Sequence, residues 1–172
     1  MVQYSIAAIR IEEEKALFVA FIDFEKAFDR VHHSKMIEIL KMRGIKGKSL
    51  QLIKSLYSQQ IATFREDPEE TTIHINRGVR QGCVLSPIIY NVYADEAFLD
   101  FGHGHGIRIG DTQINRVMYA DDTVLIGNDK NELKELVSEL VERGEELELK
   151  INCKNTKIMK ISRKERKKLQ WR

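Results

Sequence analysis

The run ALFVAFID, Ala16–Asp23, most constrains what this chain can fold into. It is continuous and apolar, with aromatic and β-branched side chains, so it reads as a buried strand, and it ends on a carboxylate. A second boundary of this kind lies in MYADDTVLIG, Met118–Gly127. There Asp121 and Asp122 interrupt a stretch that otherwise reads as two strands, near Ile114–Tyr119 and Thr123–Ile126, with ADD at the tip of a hairpin. If the first strand and the hairpin lie side by side, three carboxylates converge. Their repulsion raises their pKa values unless a cation is present. Hard divalent cations with oxygen ligands, Mg²⁺ foremost, resolve that conflict. Two such ions roughly 3.5–4 Å apart form the clamp used for nucleotidyl transfer. A lone DD is ordinary turn chemistry; Asp23 is what gives this one a different meaning. Asp29, in AFDRV, lies beyond the strand and reads as structural.

The rest of the chain alternates helices with strands. Ser34 is expected to cap a helix with Met36, Ile37, Leu40 and Met42, stopped near Gly44. A second helix is expected over Ser49–Ser58, with Leu50, Ile53, Leu56 and Tyr57 on one stripe. Ile61–Arg65 and Thr71–Asn76 read as strands joined by the turn chemistry of EDPEE. Ser86 and Pro87 read as cap and first position of a helix running to about Phe98. FGHGHG reads as a flexible polar turn rather than a histidine metal pair, and a short strand follows near Ile107–Ile109. Asp129–Glu132 fits a capping box before a helix with Leu133, Leu136, Val137, Leu140 and Val141 on one face. LKIN and TKIMKIS read as two last strands. This order predicts an α+β fold, an antiparallel sheet of the split βαβ (ferredoxin-like) type packed on helices.

Composition adds bounds. A chain of 172 residues fits one domain. A net charge of +2 does not by itself call for a nucleic-acid partner. The end RKERKKLQWR is strongly basic, either a solvated end or a phosphate-contacting arm. Cys83 and Cys153 lack zinc-site or disulfide spacing and are expected to stay thiols. His32 and His33 read as capping or surface residues. With neither a signal peptide nor a membrane span legible, the chain is expected to be soluble and intracellular, in nucleus or cytoplasm.

Four blocks in order, FIDFEKAFDRV, GVRQGCVLSPIIYNVYADEAF, MYADDTVLIG and LKINCKNTKIM, resemble the successive palm motifs of reverse transcriptases of the non-LTR (LINE-type) retrotransposon branch. The resemblance runs from about Ala16 to Ser162. It implies a polymerase palm over residues 16–162, a remnant of the upstream fingers over 1–15 and a basic tail over 163–172. It implies RNA-directed DNA polymerase activity on an RNA template, a DNA primer and dNTPs, with two Mg²⁺ ions, or Mn²⁺, and no membrane partner. Asp23 becomes a metal ligand with the backbone carbonyl of Phe24 beside it. Asp121 becomes the direct ligand of the pair, and Asp122 the looser one. Phe28 becomes the aromatic ring under the deoxyribose that excludes a 2′-OH. Arg80, Gln81 and Gly82 become nucleotide-pocket residues, Gln81 first among them, while Arg77 and Arg80 are open between phosphate contacts and solvated charges.

The fourth block departs from the pattern. Many relatives carry a lysine directly before the threonine, a candidate general acid for the leaving pyrophosphate. Asn155 stands there, flanked by Lys154 and Lys157, and Lys157 takes the role provisionally. Fingers, thumb and endonuclease belong, by resemblance, to a larger polyprotein, so this chain alone is expected to be weakly active or inactive. A palm relic that only binds nucleic acid or protein is the alternative, and other palm enzymes, such as a nucleotidyl cyclase, are disfavoured by Phe28 and YADD.

Overall fold

The computed structural model describes residues 16–66, 69–80, 82–119, 122–162 and 166–169. In chain order the elements are β1 (Leu17–Ile22), a 3₁₀ turn (Ala27–Arg30), α1 (His33–Met42), α2 (Gly47–Tyr57), β2 (Ile61–Glu66), β3 (Glu69–His74) and α3 (Leu85–Asp95), followed by a 3₁₀ turn (Glu96–Phe98). Then come β4 (Ile107–Ile109), β5 (Thr112–Ile114), β6 (Arg116–Tyr119), β7 (Asp122–Gly127), α4 (Lys130–Glu146), β8 (Lys157–Ile161) and β9 (Arg166–Leu169). These fall into two compact units. One takes the chain up to Glu25, Phe98–Glu146 and Lys150 onward; the other takes Lys26–Ala97 with Leu147–Leu149.

The first unit holds a sheet in the order β6-β7-β1-β8-β9. Every neighbouring pair is antiparallel. β1 and β6 therefore run parallel with β7 inserted between them, which is the split βαβ arrangement the sequence predicts. Leu17, Val19, Val124 and Ile126 share one face and pack with Ile107. Thr123 through Gly127 are all buried, so β7 is covered on both faces. In α4, Leu133, Leu136 and Leu140 are fully buried. Each such burial is worth about 2 kcal/mol, against a few tenths for helix propensity, so packing holds this helix more than intrinsic preference. Its start is a true cap: Asp129 Oδ1 accepts from the amides of Asn131 (2.7 Å) and Glu132 (2.9 Å).

Several local expectations are corrected. Of LKIN, only Ile151 pairs, in one bridge to Phe24, because the chain turns at once. The Asn152 carbonyl accepts from the amides of Asn155 and Thr156. The FGHGHG turn is tied to α4: Gly102 N donates to Glu139 (3.1 Å), Gly106 N donates to Glu132, and His105 Nε2 lies 2.9 Å from Glu135. A row of carboxylates on one helix face satisfies backbone donors that a flexible turn would leave to water. Residues 166–169, within the basic end, add β9 to the sheet edge.

In the second unit α1 packs against α2 and α3. Met36, Ile39, Leu40, Ile53, Tyr90 and Tyr93 are buried here. Arg43 ties the far ends, 3.1 Å from Asp95 and 3.3 Å from Glu96. Tyr93 donates to the Leu147 carbonyl at 2.8 Å, and burial raises its phenol pKa. The caps differ from expectation. His32, not Ser34, occupies the cap position of α1, and the Ser34 hydroxyl bonds to the His32 ring instead. α3 starts at Leu85, since the Ser86 hydroxyl donates backward to the Arg80 carbonyl at 2.6 Å. Strand β3 is exposed along its whole length against β2. Among the described residues, no helix is long and apolar enough to cross a membrane.

Candidate active site

In the first unit, the β1–β7 register ends at Ile22↔Thr123. The next positions outward are Asp23 and Asp122. Were that register to continue, their Cα atoms would face each other about 4.5–5.5 Å apart, the spacing of antiparallel partners. Asp122 opens β7 opposite Tyr119 and is exposed. Asp121 lies outside the described residues, as does Gln81. Among the described residues no three His, Cys, Asp or Glu side chains cluster as potential metal ligands.

Backbone directions suit an oxygen-rich cation site. Asp23 turns its carbonyl toward Asn152 N (2.8 Å), and Glu25 N donates to Lys150 (2.8 Å). Alternation then sends the Phe24 carbonyl to the other edge, the β7 side. Carboxylates and a carbonyl are the donors that Mg²⁺ prefers, so the residues present fit that ion. Lys157 pairs with Phe21, and Phe21 pairs with Val124. Partners share a face and faces repeat every second residue, so Lys157, Asp23 and Asp122 belong to one face of the sheet. Lys157 is exposed. Lys154 lies in the preceding turn, outside the strand.

Sequence reasoning noted Asn155 only as a departure and passed over Asn152 and Thr156. All three reach Asp23. Asn152 Nδ2 and Asn155 Nδ2 donate to the same oxygen, Asp23 Oδ2, at 2.8 and 3.0 Å. Asp23 N faces Thr156 Oγ1 at 3.4 Å. The available signal was the spacing in INCKNT, with two amides three residues apart in a tight turn.

The second unit contains its own pocket, lined by Phe28, Val79, Arg80, Gly82, Cys83 and Val84 among others. Phe28 is half-buried and stacks on buried Tyr90 with ring centroids 4.7 Å apart. Val79 N donates to the Phe28 carbonyl at 2.9 Å, which holds the loop against the ring. Gly82 has φ +78, and a Cβ there would meet nothing within 4 Å. Its glycine answers a backbone requirement and leaves the pocket wall open. Arg77, open between two roles in the sequence, forms a 2.8 Å ion pair with Glu148; Arg80 is exposed.

Comparison with known proteins gives the family and the fold. The family model described as "Reverse transcriptase (RNA-dependent DNA polymerase)" matches residues 3–171. The "Retrovirus-related Pol polyprotein from type-1 retrotransposable element R2" of Popillia japonica is 36% identical over 121 residues, 68% of this chain and 17% of that protein. The "RNA-directed DNA polymerase from mobile element jockey" of Drosophila melanogaster is 29% identical over 126 residues, 72% of this chain and 13% of that protein. The chain thus spans under a fifth of the length of these curated relatives. A telomerase from Candida tropicalis, solved with a fragment of telomeric RNA, shares the fold at TM-score 0.60 and 15% identity, covering 92% of this chain and 28% of that one. With the palm sheet and a family match over residues 3–171, this chain belongs to the reverse transcriptase family, alongside the proteins of non-LTR retrotransposons.

Proposed function

We propose that this chain carries the palm of an RNA-directed DNA polymerase, joining dNTPs to a primer 3′-OH on an RNA template. The observation that supports the reading is the β1–β7 register, which ends at Ile22↔Thr123, one residue short of Asp23 on β1 and of Asp122 on β7. Reverse transcriptases work with divalent metal ions. Two Mg²⁺ ions bound there would supply activation of the primer hydroxyl and neutralisation of charge on the departing pyrophosphate. Asp23, Asp121, Asp122 and the Phe24 carbonyl would hold them. Lys157, on the same face as Asp23 and Asp122, is the proposed proton donor to the leaving group, because Asn155 has no proton to give at neutral pH. Phe28 is the proposed ring under the nucleotide sugar, with Arg80 and Gly82 of the same pocket as its neighbours, and Gln81 is assigned to the nucleotide from its place in the sequence motif.

Primer extension on an RNA template with Mg²⁺ and dNTPs, beside Asp121→Ala, tests the reading. Weak extension by the unchanged chain and none by the variant is the expected result. Extension that survives the substitution overturns it. No extension by a chain that still retains RNA would instead favour the relic that only binds.

The sugar pocket makes a separate prediction. Phe28→Val removes the ring but keeps an apolar, β-branched filler over Tyr90. Steric exclusion of one small group is worth about 1–3 kcal/mol. Single-nucleotide incorporation should therefore show rNTP use rising about 10- to 100-fold relative to dNTP. An unchanged ratio would remove Phe28 from the pocket and leave it as a core aromatic.

A further inference from the structure

We infer that Asn152 and Asn155 are positioning residues that lock the Asp23 carboxylate in one rotamer and reserve its second oxygen for the cation. The inference rests on the metal reading above and concerns how that ligand is aimed.

An ionised carboxylate only accepts hydrogen bonds, so the amide nitrogens must face it. Both donate to Oδ2, at 2.8 and 3.0 Å. Among the described residues Oδ1 receives no donor. The carboxyl torsion of an aspartate is broad when free; two donors on one oxygen remove that freedom. The donors themselves are fixed. Asn152 Oδ1 accepts from Lys154 N at 3.2 Å, and the Asn152 carbonyl accepts from Asn155 N (3.1 Å) and Thr156 N (2.9 Å). The backbone of Asp23 joins the same turn through the Asn152 amide at 2.8 Å. One five-residue turn therefore grips the residue by both main chain and side chain.

Charge explains why amides do this. A lysine at 155 within reach of Oδ2 would offset the carboxylate's negative charge and compete with the cation. Two neutral amides satisfy Oδ2 and leave the full charge to the metal. The substitution that removes a proton donor from this turn thus turns it into a holder of the first ligand.

Mn²⁺ binding to the chain, followed by electron paramagnetic resonance of the free ion, tests this. Asn155→Leu keeps the volume and removes the donor. Asn155 is exposed, and its side chain bonds only to Asp23 among the described contacts, so the fold should survive. The expected result is Mn²⁺ affinity about 10-fold weaker, with an unchanged melting temperature, and recovery to within about 3-fold in Asn155→Gln, which keeps the amide. Should the leucine variant not fold, Asn155→Ser is too short to reach Oδ2 and carries the same expectation. Wild-type affinity in a folded Asn155→Leu or Asn155→Ser chain overturns the inference. Asp23→Ala separates the two claims: if it binds Mn²⁺ as the unchanged chain does, the metal reading fails before Asn155 is at issue.

Discussion

Asp23→Ala is expected to take the chain's weak primer extension to background, a loss of about 10²-fold or more, while the melting temperature measured without metal moves little. The loss is large because Asp23 supplies both charge and position. Removing one preorganised group that stabilises developing charge costs about 10²–10³ in rate, and on the proposed reading the lost group would also hold the ions. Stability behaves differently. The substitution leaves the amides of Asn152 and Asn155 without their acceptor, about 1 kcal/mol for a group that reaches water. For a chain of this size a loss of that size moves the melting temperature by only about 2–4 °C. Adding Mn²⁺ should separate the proteins, since a ligand that binds only the folded state stabilises it in proportion to RT ln(1 + [L]/Kd). The unchanged chain should gain thermal stability with metal and Asp23→Ala should not. Asp29→Ala is the control. Asp29 lies on an exposed 3₁₀ turn, and extension within a few-fold of the unchanged chain is expected. A loss in Asp29→Ala equal to that in Asp23→Ala would mean that the aspartate assigned as structural is the ligand.

Much of this was legible in the sequence, for a definite reason. ALFVAFID and TVLIG are apolar runs whose burial needs no partner to be named, and a carboxylate at the end of each marks where the sheet meets solvent. The split βαβ order followed from alternation of element types. What was not legible turned on where single polar groups find partners. Ser34 and Ser86 look like caps because serine often is one, yet each hydroxyl has another partner in the fold, the His32 ring for Ser34 and the Arg80 carbonyl for Ser86. LKIN has strand composition, but the Asn152 carbonyl draws two amides back into a turn. Asn155 could be seen as a missing lysine. Its actual partner is 132 residues away in sequence, and only the strand register brings the two together. FGHGHG has the composition of a loose turn; the carboxylates that hold it sit on a helix whose polar face looked merely solvated.

That turn carries the largest stability effect expected in the molecule. Gly106→Ala should destabilise the chain by about 3–4 kcal/mol, lowering the melting temperature by about 10 °C for a protein of this size. Gly106 has φ +103, outside what an L side chain adopts without strain, and that part costs about 1–2 kcal/mol. A Cβ there would also lie 2.5 Å from the Ile114 carbonyl oxygen and 2.7 Å from Asn115 Cα. Both obstacles are backbone, so neither can swing aside. Moving them disturbs β5, where Ile114 pairs with Ile107, a residue wholly buried in the sheet core. Overpacking of that kind adds about 1–3 kcal/mol. The same shift strains the bonds that tie Gly106 to Glu132 and to Asn128, whose amide donates to the Gly106 carbonyl at 2.7 Å. Gly82→Ala is the informative partner. Its φ of +78 is comparably unfavourable, but nothing lies within 4 Å of the new Cβ, so only the conformational part remains, about 1 kcal/mol. Thermal unfolding of both variants would divide strain from collision. Equal shifts in the two would show that the backbone around Gly106 yields, and that the turn is held less firmly than its hydrogen bonds to α4 indicate.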